Sequence, residues 1–256
     1  MDAKALGAVA LAFSLLGCDA RVHDEEVTSA ADTSPGMVAA AYCKSVLPPN
    51  RISVTTREAA VFENNDRSIR SLTIANKSYH QGQAVLGWAE TSFQMRFQSD
   101  FVSEQVPDST SWCSSVNLAV EVSMPYHLVN IARELRPGTC GYEKVREHEY
   151  MHVEVNRATL AYAAATLQSE MDEVFSRETF YGDPKLVRAQ LDRALSVHWI
   201  PRLRELQREG LVAHQDIDTE DEYASNATAC DGEISRLVSE DSSLRELLVT
   251  VPTRGR

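Results

Sequence analysis

Basic residues are scarce in this 256-residue chain: 25 Lys and Arg stand against 37 Asp and Glu, a net charge of −12. A nucleic-acid binder needs a basic face, so no nucleic-acid partner is expected. No apolar run reaches the roughly 18 residues that suggest a membrane-spanning helix. The chain has no internal repeat, no G-x-S-x-G elbow, no Walker loop and no dinucleotide fingerprint. It also has no C-x-x-C pair, which leaves a four-cysteine zinc site without support. What is present is a 43% hydrophobic composition, enough for one sizeable core or one domain with a tail.

Residues 1–17 carry one lysine and then a short apolar run over 5–16, the length of a secretory signal. The run ends in Leu15-Leu16-Gly17-Cys18. This resembles the bacterial lipoprotein signal, which implies lipidation of Cys18 and a membrane partner reached through that anchor. By the same resemblance, Asp19 implies retention at the inner membrane. The expectation is a lipid-anchored, periplasm-facing protein of the bacterial cell envelope. Residues 18–36 are polar and acidic with almost no large apolar side chains, so they read as a flexible tether. The domain then covers 37–256. Four cysteines remain, Cys43, Cys113, Cys140 and Cys230. In an exported chain an even count suggests two disulfides, and three pairings are possible. The favoured one is Cys113–Cys140 with Cys43–Cys230, the first bracketing a segment before the main helix and the second tying the domain ends.

Residues 51–56 and 84–97 read as strands. Asp66 is a candidate cap for a helix that follows it. The clearest strand is SVNLAVEVSM at 115–124, where Val116, Leu118, Val120, Val122 and Met124 share one face and Pro125 ends the run. After Pro137-Gly138 the pattern is helical. Thr139 can cap it, and no glycine or proline interrupts 143–178. Gly182, Asp183 and Pro184 mark a turn and a second helix to about 215, which Pro201 should kink. Thr219-Glu220-Asp221-Glu222 is a capping box for a third helix. These elements predict an α+β fold: a small, mainly antiparallel sheet, then a long helical hairpin, then a third C-terminal helix.

The long helix contains His148-Glu149-Tyr150-Met151-His152, an H-E-x-x-H pattern. Positions i and i+4 share a helix face, so both imidazoles can bind one Zn2+, with Glu149 beside them as general base. Glu149 and His152 continue the inward stripe of Val145, Thr159, Leu160, Ala163 and Leu167. A buried carboxylate beside two histidines is costly unless something such as a divalent cation compensates it. A third ligand is needed. Glu154 points the wrong way, and Glu170 lacks the helix break that its use would require. Counting from the turn at Gly182, His148 lies 34 residues before and His214 32 after, so His214 is the expected third ligand, with Glu209 and Asp218 in reserve. His198 is expected to pack between helices. His80 and His127 fall in expected loops, and Glu222 belongs to the capping box. Tyr223 reads as a packing residue within reach of a reaction intermediate.

HEYMH after an amphipathic strand resembles the zincin metallopeptidases. More narrowly, residues 43–230 resemble a family of predicted secreted bacterial zinc proteases. The resemblance implies His148 and His152 as ligands, Glu149 as base, and 115–124 as a strand that pairs with a peptide or protein substrate. Val155 stands where the metzincin extension has glycine. The function expected is zinc-dependent peptide-bond hydrolysis. The alternatives are a non-enzymatic envelope lipoprotein that binds a partner around a structural or vestigial metal site, and hydrolysis of a non-protein amide. The sequence leaves the oligomeric state open.

Overall fold

The computed structural model describes residues 35–77, 83–176 and 178–249. Cys18, residues 1–34 and His80 lie outside them. The chain enters through helix α1, Pro35–Val46, which takes up the last two positions expected in the tether.

Strands β1 (Arg51–Glu58), β5 (Trp112–Met124) and β4 (Gln94–Gln105) form one sheet in the order β1-β5-β4, with β7 (Phe180–Tyr181) also on β5. Strands β2 (Val61–Asn64), β6 (His127–Ile131) and β3 (Gly87–Thr91) form a second sheet in the order β2-β6-β3. The orders correspond. β1 leads into β2, β5 into β6, and β3 into β4, each across only two residues, so the chain passes from sheet to sheet three times at one level. Pro125 stands at one of these breaks and cannot donate to a ladder. β1 pairs parallel with β5, and β2 parallel with β6; the other pairs are antiparallel. The α+β class is as expected. The single sheet is instead two small mixed sheets, and the expected strand over 84–97 divides between them.

Val116, Leu118, Val120, Val122 and Met124 are all buried, as their alternation predicts. Each such side chain contributes about 1.5–3 kcal/mol by leaving water. They pack with Leu160, Ala163, Leu167, Met171 and Phe175 of α3 (Cys140–Phe175) in a first core. A second core joins the other sheet to α2 (Ile69–Asn76), to Tyr142, Val145 and Val153 of α3, and to Ile234 and Leu244. α3 is 36 residues long, about 54 Å, so it spans both cores. Thr139 caps it by accepting from Tyr142 N–H. HEYMH lies in the stretch of α3 that meets the second core, between Val145 and Val153. α2 is capped by Ser68, not Asp66, because the Ser68 hydroxyl accepts from Ser71 N–H.

The return arm is α4 (Pro184–Ala194), a π turn (Leu195–Trp199) and α5 (Ile200–Gln215). Pro201 lacks an N–H, and the π turn forms just before it, with Ile200 N–H donating to Leu195 O. α6 (Glu220–Glu240) starts at the Thr219 cap and is broken over 229–232, where Cys230, Asp231 and Gly232 take positive φ. α7 (Ser242–Val249) follows.

The disulfides are Cys43–Cys113 and Cys140–Cys230, which corrects the favoured pairing. Cys113 opens β5 at the far end of the first sheet, whereas Cys140 opens α3 beside the second. The run of β5 alone separates those ends by about 35 Å, far beyond disulfide reach. Each cysteine therefore bonds at its own end, Cys113 to α1 and Cys140 to the break in α6.

Candidate metal centre

The face of α3 that carries His148 and His152 continues one turn later with Asn156. α5 lies antiparallel against it. They come close at Gly210, where an added Cβ would stand 2.4 Å from Thr159 Oγ1 and Cγ2. Only glycine lets the helices come this near, and one turn further along α5 His214 meets His152. Beyond α5 the chain turns tightly: Ile217 and Asp218 N–H both donate to His214 O at 3.1 Å. This turn carries the Asp218 carboxylate back over the helix end toward α3.

His148 Nε2 lies 3.2 Å from Asp218 Oδ1, His152 Nε2 lies 3.3 Å from the same oxygen, and the two nitrogens are 3.3 Å apart. Among the described residues these three side chains form the group that can hold a metal ion. A tetrahedral ion with bonds of about 2.0–2.1 Å keeps its ligand atoms about 3.3–3.4 Å apart. The three observed edges match that spacing, so the donor set fits.

His214 was the expected third ligand, but the structure seats it behind His152, with the two Nδ1 atoms 2.8 Å apart. Asp218, held in reserve, takes the third place. The reason is register. His152 lies 30 residues before Gly182 and His214 32 after; His148 lies 34 before and Asp218 36 after. Both pairs need two more residues on the return arm, where the π turn takes up extra chain. Glu209 is occupied with Arg202 at 3.3 Å, and Arg202 also grips both oxygens of Glu170. Glu154 pairs with Arg157. His198 is exposed on the π turn with its ring against Trp199, not packed between helices. His127 begins β6 instead of lying in a loop, and is buried.

Glu149 is only 5% exposed. Burial pushes its carboxyl up to about 7, against the pull of the His152 and His148 charges and an N–H donated by Ala89 of β3. Gly87 on the same strand leaves room for it: a Cβ there would stand 2.5 Å from Glu149 Oε1 and 2.6 Å from Cγ. Burial works to raise the Asp218 carboxyl as well, but the His148 and His152 rings set against it hold it well below the usual carboxylate range. His148 ends up raised, because the hydrogen bond to Asp218 and the nearby carboxylates outweigh its burial. Tyr223 donates its hydroxyl to Asp218 Oδ1 at 2.9 Å, and burial with the Asp218 charge raises its phenol. Glu222 does its capping work through its N–H and brings a carboxylate oxygen 3.7 Å from His148 Nδ1.

The three ligand atoms and Glu149 face a cavity of about 1200 Å³, walled by β3, α3, α5 and α6. β3 is an edge strand, whereas β5, expected to receive substrate, has partners on both sides. Asn156, and the place of β3 beside the site, went unrecognised from sequence. The four-residue step from His152 to Asn156 was a usable signal, as was a glycine opening a strand. No protein-family model, curated protein or solved structure matches the chain.

Proposed function

We propose that this chain is a zinc-dependent peptidase of zincin type, exported and held at the bacterial envelope through Cys18. The observation that carries the reading is the triangle of His148, His152 and Asp218 ligand atoms beside the buried Glu149 carboxylate. Three protein ligands leave a fourth position, which catalytic zinc sites keep for water or substrate. Zinc held there would acidify a bound water and polarise a carbonyl. Glu149, with a carboxyl near 7, is suited to take a proton from that water and later pass it to a leaving amine. The edge of β3 beside Glu149 offers backbone groups with which an extended peptide can pair.

Glu149→Gln should keep one equivalent of metal by elemental analysis and lose peptide hydrolysis by about 10²–10⁴-fold. Undiminished hydrolysis in that variant would sink the mechanism.

A further inference from the structure

His152 is the start of a polar chain that leads away from the metal centre. Its Nδ1 lies 2.8 Å from His214 Nδ1. His214 Nε2 lies 3.2 Å from Asn156 Oδ1, and Asn156 Nδ2 lies 3.5 Å from His127 Nε2. His127 Nδ1 then faces Glu58 Oε1 at 4.0 Å. His127 is 1% exposed, so its ring cannot turn to water instead.

An asparagine amide has a fixed polarity, oxygen accepting and nitrogen donating. Facing Asn156 Oδ1, the Nε2 of His214 must carry a proton. A neutral His214 then has a bare Nδ1, which can only accept. The proton between the two rings therefore sits on His152 Nδ1, and His152 Nε2 is left with its lone pair directed at His148 Nε2 and Asp218 Oδ1. The opposite arrangement would set two acceptors 3.2 Å apart at Asn156. His148 Nε2–H can be shared between Asp218 Oδ1 and His152 Nε2, which leaves His148 Nδ1 bare, and that atom is buried without a hydrogen-bond partner.

We infer that His214 and Asn156 are positioning residues that set His152 in its metal-ready tautomer before any ion binds. The inference rests on the proposed metal site but not on its being catalytic. His214 acts on the ring orientation and tautomer of His152, and Asn156 acts through His214. Partners of this kind behind a ligating histidine carry about 10–100-fold in metal affinity.

The test uses the metal-free protein at about pH 8, above the ordinary imidazole range. Nitrogen-15 NMR of the wild type should show His152 protonated on Nδ1. The His152 signals should become a mixture of tautomers in His214→Leu and in Asn156→Leu. Chelator competition should show Zn2+ affinity falling about 10–100-fold in His214→Leu, with partial recovery in His214→Asn, whose amide oxygen falls near the lost Nδ1. A merely structural role for His214 would give no such recovery. Wild-type His152 protonated on Nε2 would overturn the inference even if the protein hydrolyses peptides. So would His214→Leu binding Zn2+ as tightly as wild type. If the leucine variants do not fold, the wild-type spectrum decides alone. If no peptide is ever cleaved but the tautomer and the affinities behave as stated, the inference stands and only the proposed activity falls.

Discussion

Glu149→Gln should flatten the pH dependence of stability in the metal-free protein. In the folded chain the Glu149 carboxyl is pushed from 4.5 up to about 7, chiefly by burial. Between those values the folded state holds a proton that the unfolded chain has released. The stability that this group contributes is therefore complete below pH 4.5 and is lost as pH rises to about 7. At about 1.36 kcal/mol per pH unit, the loss is about 3 kcal/mol. For a domain of this size that is about 6–12 °C in Tm. His214 and His127 titrate in both proteins, whereas His148 loses the Glu149 charge that helps to raise it, so the difference between wild type and variant reports Glu149 together with that coupling. The assay is thermal unfolding in chelator, in half-unit steps from about pH 4.5 to about pH 8. Wild type should lose ground against Glu149→Gln over that range. Saturating zinc should remove most of the loss, since a cation beside the carboxylate favours its charged form. Parallel profiles in chelator would refute the reasoning, because Glu149 would then not be desolvated as its 5% exposure requires.

Gly87→Ala should displace the Glu149 carboxylate by about 1 Å, since the new methyl would stand 2.5 Å from Oε1. Turnover should fall about 100-fold, while bound metal, measured by elemental analysis, stays at the wild-type level. Asp218→Ala should lose the metal, and Glu209→Ala should keep it, because Glu209 is spent on Arg202; equal retention in both would remove Asp218 from the ligand set. Unreduced peptide mapping should recover Cys43 with Cys113 and Cys140 with Cys230. Cys140→Ser with Cys230→Ser should cost about 2–4 kcal/mol in urea denaturation.

The elements set by local chemistry were legible. Thr139, Asp183 and Thr219 cap where their side chains predict, each by accepting from a backbone N–H two or three residues on. The alternation in β5 gave its buried face. Strand pairing was less accessible, because it depends on contacts far apart in sequence. Residues 84–97 read as one strand, yet β3 and β4 join different sheets across Ser92 and Phe93, and neither residue is a breaker. Cysteine pairing failed for the same reason. It follows from which end of the sheet each cysteine occupies, and β5 carries Cys113 away from α3's start.

The metal site shows the same division at finer scale. His148, Glu149 and His152 lie within one helical turn or so of each other, and the rise of a single helix places them. The third ligand depends on the phase between two helices. A lag of two residues is about 3 Å along an axis, and it decides whether His148 meets a histidine or an aspartate. Two local features produce that phase. The π turn before Pro201 takes up extra chain, and the turn whose N–H groups return to His214 O lifts Asp218 off the end of α5. The first follows from a missing N–H at Pro201, but the sequence does not say how many residues the distortion absorbs. The second depends on a turn that leaves helical periodicity altogether, so no counting along α5 can reach Asp218. His214 was thus placed near the right partner and given the wrong role: the histidine supports a ligand, and the carboxylate beyond the helix end completes the set.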